Sequence, residues 1–304
     1  MMDIQIDYVV PMVFPTDLLW RADLSERQGS KFSMNQGNAV RYRSWGTEEL
    51  LCRCVRKFMP WVRDIIVILA RGSQYQPWMK DIEGLRVVFH NEFMPPECLP
   101  NFNSRAIEMF LHCIPGLSDY FIYGNDDMYP LSPLKAEDFF ALAQDGKTVL
   151  PCQHHNVKRF PAKPNNFHIA CFGGLNFVAS EFGKEFTTTW LHGGHSIAPI
   201  LKSSCLHLWQ RDPVRMMNSV TPFRNVVNFN QYIFSWYQNL SGMFIDHTPP
   251  NKYLSVKRPV SEIIEAMMSP DCGIVCVNDN ECCEDFKPYA LAVREMMNHK
   301  LLNS

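Results

Sequence analysis

The chain has 304 residues, 46% of them hydrophobic and 20% charged, with a formal net charge of −2. This is ordinary globular composition, enough to bury a large core, long for one domain and short for two full ones. The small net charge excludes an overall basic field for nucleic acid or an anionic membrane, without bearing on local basic patches.

No apolar run approaches the ~20 residues of a membrane span. MMDIQIDYVV carries acids and no basic leader region, so the expectation is a cytosolic protein, at most peripheral to a membrane. The 11 cysteines are scattered, odd in number and lack CxxC pairs, which favours reduced thiols over a disulfide framework. Cys272, Cys276, Cys282 and Cys283 form one cluster, with poor spacing for zinc.

In chain order, Ile4 to Val13 is rich in Ile, Val and Tyr and reads as a first, buried strand that stops or bends at Pro11. Asp17 follows in a polar loop, a natural nucleotide site after the first strand of an α/β sheet; an Asp there also suits a helix cap. Arg21 to Gly37 is polar and reads as a flexible loop, a candidate lid. Thr47 is placed to cap a helix from Glu48 to about Phe58, with Leu50, Leu51, Val55 and Phe58 inward. Ile65 to Leu69 is a continuous apolar run, hence a central strand of a covered sheet. Val87 to Phe89 is another short strand, ending at His90.

Leu99 to Leu134 is the most informative stretch. Ser104 suits an N-cap for a helix running to Ile114, with Ala106, Ile107, Phe110, Leu111 and Ile114 toward a core and Pro115-Gly116 as its stop. Asn103 and Ser104 would then sit at a helix start, where free amides favour anions. Arg105 either adds a phosphate contact or is solvated. Tyr120 to Tyr123 reads as a buried strand that delivers Asn125, Asp126 and Asp127 to its carboxyl end, where open α/β sheets bind ligands. Adjacent carboxylates there suit a divalent cation carrying a diphosphate, because hard ions take oxygen ligands and offset phosphate charge. The same triplet is also ordinary turn chemistry.

Further on, Asp138 to Gln144 reads as a helix and Val149 to Cys152 as a strand. Gln153 to Asn166 is a basic loop with His154, His155, Lys158, Arg159 and Lys163. It suits an anionic donor or an acidic polysaccharide, or is simply solvated. A histidine ahead of the next helix is a candidate general base, its ordinary pKa being about 6.5; His192, His195 and His207 compete. Gln231 to Tyr237 is aromatic at helical spacing, which reads as core. Gly273 to Val277 is a strand leading into Asn278, Asp279 and Asn280, and a helix follows from about Phe286 to Leu302, with Tyr289, Val293, Met296 and Met297 as its apolar face. The two strand-end clusters meet in one cleft if the sheet sets their strands side by side.

LPNFNSRAIE, then GLSDYFIYGNDDMY, resembles the core of the Stealth family, whose pattern runs close to LPTFNS, AIE, GLS, FIY and NDDM. Those are the hexose-1-phosphate transferases of bacterial capsule synthesis and the lysosomal-enzyme GlcNAc-1-phosphotransferase of animals. Three further regions are similar in family order. IDYVVPMVFPTDLLW resembles the first, IDxVYTWVDGxDxxW, but has Phe14 where the family's first-loop Asp falls. Arg43, Glu49, Leu50, Arg53, Pro60-Trp61-Val62 and Gln76-Pro77-Trp78-Met79 resemble the second. His195, Pro199 and Lys202 look like counterparts in the third, with Arg224 beyond them, and VNDN before the last helix resembles the fourth.

The resemblance implies an α/β fold, GT-A-like or Rossmann-like, with a central sheet and helices on both faces. It implies a single catalytic domain over 1–304, with a nucleotide-binding half to about residue 150 and an acceptor-side, site-completing half from 151. The implied reaction moves a hexose- or hexosamine-1-phosphate from a UDP-sugar to a sugar hydroxyl of a glycan or glycolipid in capsule or cell-surface polysaccharide synthesis. UMP leaves and a phosphodiester forms. Asp126 and Asp127 are expected to hold Mg²⁺ or Mn²⁺ or orient the acceptor, and His195 to act as base. Arg43 and Arg224 would neutralise the diphosphate. Asp17, Asn103, Ser104, Asn278, Asp279 and Asn280 would complete the donor site. An ordinary GT-A glycosyltransferase using Asn125-Asp126-Asp127 for its metal, releasing UDP, is the alternative; a non-catalytic nucleotide-sugar-binding relative is a third reading, favoured by Phe14.

Overall fold

The computed structural model describes residues 4–29, 41–279 and 285–303. Among them, the central five-stranded sheet has the order β10-β4-β1-β2-β3. β1 (Ile6–Pro11) lies at its middle, between β2 (Ile65–Leu69) and β4 (Tyr120–Tyr123), and β3 (Leu85–Phe89) follows β2. These four run parallel. β2 is a continuous apolar run, and β1 is one apart from Asp7, because both faces of the sheet are covered. Tyr8, Val10, Ile65 and Val67 pack on one face, and Val9, Ile66, Ile68 and Phe121 on the other. Asp7 is fully buried within β1; Arg63 grips it with two bonds of 2.8 and 2.6 Å, and the Ser118 amide donates at 2.8 Å.

α1 (Leu18–Gln28) takes in Arg21 to Gln28 of the stretch expected to be a loop from Arg21 to Gly37, of which residues 30–37 lie outside the described residues. Asp17 caps it, accepting from the Leu19 amide at 3.0 Å. Trp20 and Leu24, four apart and both buried, face the core; the polar residues between them hid this pairing. α2 (Glu48–Phe58) has the expected bounds, but Thr47 makes no side-chain cap bond, its hydroxyl lying 3.3 Å from that of Tyr129 instead. α3 is short, Ser104–Met109, and gives way to a 3-10 turn at Leu111–Cys113 rather than running to Ile114. Its cap is Asn103, not Ser104: Asn103 Oδ1 accepts from the Arg105 amide at 3.2 Å.

After β4 the chain turns through Asn125-Asp126-Asp127 into β5 (Met128–Pro130), which leaves the central sheet. The expected helix at Asp138–Gln144 is instead a 3-10 turn at Ala136–Asp138 followed by β6 (Phe140–Leu142), paired with β7 (Val149–Gln153). Burying Phe139 and Phe140 side by side, with Leu142 exposed, suits this strand against a neighbour better than an amphipathic helix. The basic loop contains β8 (Asn156–Arg159), itself exposed, which pairs with β9 (Thr189–His192). α4 (Asn166–Ala179) lies between them.

β10 (Ala198–Leu201) joins the central sheet antiparallel to β4. α5 (Lys202–Arg211), α6 (Pro213–Asn218) and α7 (Tyr232–Leu240) follow. β11 (Ile245–Asp246) adds to β7. β12 (Asn251–Ser255), α8 (Val260–Met268), β13 (Ile274–Asn278) and α9 (Lys287–Asn303) complete the order. α2, α8 and α9 contribute to the core on one face of the central sheet, and α3, α4, α5 and α7 to the core on the other. This is the expected GT-A-like α/β arrangement. Among the described residues, no helix is long and apolar enough to cross a membrane.

β5 pairs antiparallel with β13, and β12 pairs parallel on the other side of β13. The two acidic clusters therefore do meet, although the strands that end in them, β4 and β13, lie in different sheets. The join is the turn after β4, which hands the chain from the central sheet to the sheet of β13. Gly124 opens this turn: its amide donates to Val9 at 3.0 Å, and an added Cβ would stand 2.1 Å from the fully buried Tyr8 hydroxyl.

Gly124→Ala is expected to lower stability to urea by about 1–3 kcal/mol through overpacking. Adding Tyr8→Phe should recover part of the loss by removing the nearest atom. Tyr8→Phe alone should stay within about 1 kcal/mol of wild type, since its buried hydroxyl has no partner to lose.

Candidate active site

The carboxyl ends of the parallel strands open onto a cavity of about 880 Å³. Met12 and Val13 line it after β1, Ala70 and Gln74 after β2, His90 after β3, and Asn125, Asp126 and Asp127 after β4. The start of α2 brings Glu48, loops bring His195 and Arg224, and the end of β13 brings Asn278 and Asp279 to the same space.

Asp127 is the junction. Its backbone carbonyl accepts from the Val277 amide at 3.0 Å, and its Oδ2 accepts from Asn278 Nδ2 at 3.1 Å. His195, on the loop before β10, brings Nε2 to 3.5 Å from the same Oδ2. On the other side of the ring, His195 Nδ1 lies 3.4 Å from the Tyr232 hydroxyl. Tyr232 gives its own proton to the Gly194 carbonyl at 2.9 Å, so its oxygen is left to accept from Nδ1–H. Both ring nitrogens therefore face oxygen acceptors, Nδ1 the Tyr232 hydroxyl and Nε2 the Asp127 carboxylate, an arrangement that favours the protonated ring.

Burial alone would raise the Asp127 carboxyl and lower the His195 ring. Their mutual attraction outweighs burial in both, holding Asp127 below the ordinary carboxylate range and His195 above the ordinary histidine value. Asn278, which hydrogen-bonds Asp127 Oδ2, and the neighbouring Cys276 thiol lower that carboxyl further. Asp126 behaves oppositely. Desolvation first, then the Asp127 and Glu48 carboxylates, push it up to about 7. Its side chain keeps an open face on the cavity, so water tempers the desolvation, while the neighbouring carboxylates still fix the direction of the shift.

Arg224 donates to Ser104 Oγ at 2.9 Å. Arg105 is buried beside it, and its pKa is lowered by desolvation, then by the like charges of Arg224 and Arg41. All three arginines line the cavity. Arg43 forms a two-pronged ion pair with Asp279, which also accepts from Trp45 Nε1 at 3.0 Å, and the Arg43 guanidinium lies 4.2 Å from the centre of the Phe286 ring. Arg43 and Asp279 therefore stand on the cavity wall tied to each other.

The expected residues separate accordingly. Asp126, Asp127, His195, Arg224, Arg43, Ser104, Asn278 and Asp279 line one cavity. Asp17 is not among its lining residues; it caps α1 and accepts from Ser73 Oγ at 2.6 Å. Asn103 stands behind the wall, fully buried, donating to the Thr221 carbonyl and to Asn228 Oδ1 at 3.0 Å each. Asn280, Cys282 and Cys283 lie outside the described residues. His207 pairs with Glu181 at 2.6 Å, and His192 Nδ1 accepts from the Gly194 amide at 3.2 Å, so neither competes with His195. Phe14, at the family's acidic position, packs on the core.

Sequence reasoning missed Glu48, Tyr232 and Cys276 as parts of the site. Glu48 reads as an ordinary first-turn acid, Tyr232 as core, and Cys276 as one of a cysteine cluster poorly spaced for zinc. No local pattern marks them; only the packing of α2, α7 and β13 around Asp127 does. For a divalent cation, the adjacent carboxylates of Asp126 and Asp127 supply hard oxygen ligands, and Asp127 Oδ1 is buried with no hydrogen-bond partner. The residues fit such an ion.

A profile described as Stealth protein CR2, conserved region 2, matches residues 41–148. The chain is 38% identical to the exopolysaccharide phosphotransferase cps2G of Lactiplantibacillus plantarum, over 97% of this chain and 94% of that protein. It is 30% identical to a capsular polysaccharide phosphotransferase WcwK of Streptococcus pneumoniae, over 90% of each chain. It is 29% identical to the receptor polysaccharide phosphotransferase WefC of Streptococcus gordonii, over 92% of each.

In the metal-free protein, NMR titration of the His195 ring should give a midpoint above the ordinary 6.5. Asp127→Asn should drop that midpoint below 6.5, because the opposing effect of burial then remains. An unchanged midpoint in Asp127→Asn would sink the pairing.

Proposed function

The chain belongs to the Stealth family and is a phosphotransferase of polysaccharide synthesis, and we propose that it transfers a hexose- or hexosamine-1-phosphate from a UDP-sugar to a sugar hydroxyl of a glycan or glycolipid, releasing UMP. The observation that carries this reading is the convergence of Asp126, Asp127, His195 and Arg224 on one cavity at the carboxyl edge of the parallel sheet. Phosphoryl transfer asks a protein mainly for charge neutralisation and in-line positioning. A cavity with carboxylates at the end of β4 and three arginines nearby is built for a charged group of that kind.

Arg224 is suited to the diphosphate oxygens, because its planar fork matches them and Ser104 steadies it. Arg105 adds positive charge that is already under like-charge stress, which an anion would relieve. Arg43 contributes through the wall it forms with Asp279 and Trp45. Asn278 holds Asp127 in place. Asp17 and Asn103 act on the donor site only by positioning the elements they cap. Asp126 and Asp127 are the residues that would hold Mg²⁺ or Mn²⁺, which when bound offsets diphosphate charge. The acceptor oxygen forms a bond to the phosphorus next to the donor sugar. The bond from that phosphorus to the bridging oxygen breaks, and the electron pair leaves with UMP. His195 Nε2 takes the acceptor's proton, and Tyr232 fixes the ring that receives it. The reading places the protein peripherally at the inner face of the plasma membrane; among the described residues no helix is suited to span a membrane.

Incubation with a panel of UDP-sugars, a glycan acceptor and Mg²⁺ or Mn²⁺ should release UMP. Release of UDP would overturn the phosphoryl-transfer reading in favour of an ordinary glycosyltransferase. His195→Asn should cut turnover by about a hundredfold or more while far-UV circular dichroism is retained. Absence of turnover across a broad donor panel would support a binding role instead.

A further inference from the structure

Two buried polar atoms at the floor of the cavity, Asp127 Oδ1 and His195 Nε2, have no hydrogen-bond partner. Unpartnered buried polar groups are rare in native structures and point to something that completes them. A third group stands with them. Cys276 on β13 is 1% exposed, and ligand atoms of Asp127, His195 and Cys276 all lie within 4.8 Å of one another. Two ligands of a tetrahedral zinc ion stand about 3.3 Å apart at ordinary bond lengths; His195 Nε2 and Asp127 Oδ2 are 3.5 Å apart. One sulfur, one nitrogen and one oxygen form a borderline-soft donor set. Thiolate and imidazole select zinc-like ions, whereas Mg²⁺ demands oxygen ligands and keeps its waters.

We propose that Asp127, His195 and Cys276 form a binding site for Zn²⁺ or a similarly soft divalent ion, distinct in donor chemistry from the hard-ion site of Asp126 and Asp127. The thiol proton passes to solvent as sulfur joins the ion. Because Zn²⁺ there occupies both His195 Nε2 and Asp127, it inhibits transfer; this inhibitory half rests on the function proposed above, while the binding site itself does not. The three ligands come from the turn after β4, the loop before β10 and strand β13. That is why the cysteine spacing gave no zinc pattern: the partners of Cys276 are not other cysteines.

The test uses the metal-stripped full chain under a non-chelating reductant. Zn²⁺ titrated in competition with a chromophoric chelator should bind one ion per chain at micromolar affinity or tighter. Co²⁺ in its place should give a near-ultraviolet thiolate-to-metal band. Cys276→Ser should abolish that band and weaken zinc by about tenfold or more; Cys113→Ser, at an exposed thiol, should leave both unchanged. His195→Asn should weaken zinc similarly and provides a second variant if Cys276→Ser fails to fold. In Mg²⁺-supported turnover, half-inhibition of Cys276→Ser should need about tenfold more zinc than wild type. No tight zinc binding, no sulfur band, or wild-type affinity in both ligand variants would overturn the site. Zinc binding without inhibition would overturn its inhibitory half. UDP release would sink the transfer reading and leave the zinc site standing.

Discussion

The candidate site depends on one short turn. Asn125, Asp126 and Asp127 end the last parallel strand of the central sheet and begin a strand of another sheet. Asp127 makes this possible because its backbone carbonyl takes the Val277 amide while its carboxylate takes Asn278. The turn is held by pairing on both sides, so the two carboxylates are fixed relative to the sheet edge rather than left on a mobile loop. Gly124 sets the height of the turn above Tyr8, where no side chain fits.

Electrostatics then divides the labour between adjacent acids. Asp127 is stabilised as an anion by His195, against the cost of its burial, whereas Asp126 is pushed toward protonation by its surroundings, Asp127 and Glu48. Two neighbouring carboxylates with opposite shifts are what a bound cation would rebalance. The arginines supply the complement: burial first, then the like charges of Arg224 and Arg41, lower the Arg105 pKa. The same crowding explains why an imidazole, a carboxylate and a thiol come together at Asp127, a donor set that hard and soft ions read differently.

The central strands were legible because continuous apolar runs such as Ile65 to Leu69 have little use except in a covered sheet. Tyr120–Tyr123 and Glu48–Phe58 have the bounds their sequences indicate. The errors have physical causes. Asn103 outcompeted Ser104 as cap because its amide also bridges to Thr221 and Asn228, a tertiary tie invisible in the local sequence. The segment after Asp138 became a strand because Phe139 and Phe140 are both buried against β7 and its surroundings. The polar stretch from Arg21 hid a helix because only Trp20 and Leu24 carry its buried face. Asp17 was ambiguous between a ligand and a cap, and the free amides of α1 favoured the cap.

By itself, the sequence determined the α/β class, the delivery of Asn125-Asp126-Asp127 to a strand's carboxyl end, and the family, since apolar periodicity and contiguous motifs are local properties. Tertiary structure alone decided that the second cluster reaches the first through β5 and β13, that His195 rather than His192 or His207 faces Asp127, and that Glu48, Tyr232 and Cys276 share the site. Those residues are scattered from 48 to 276, and their chemistry arises from distances that only packing sets.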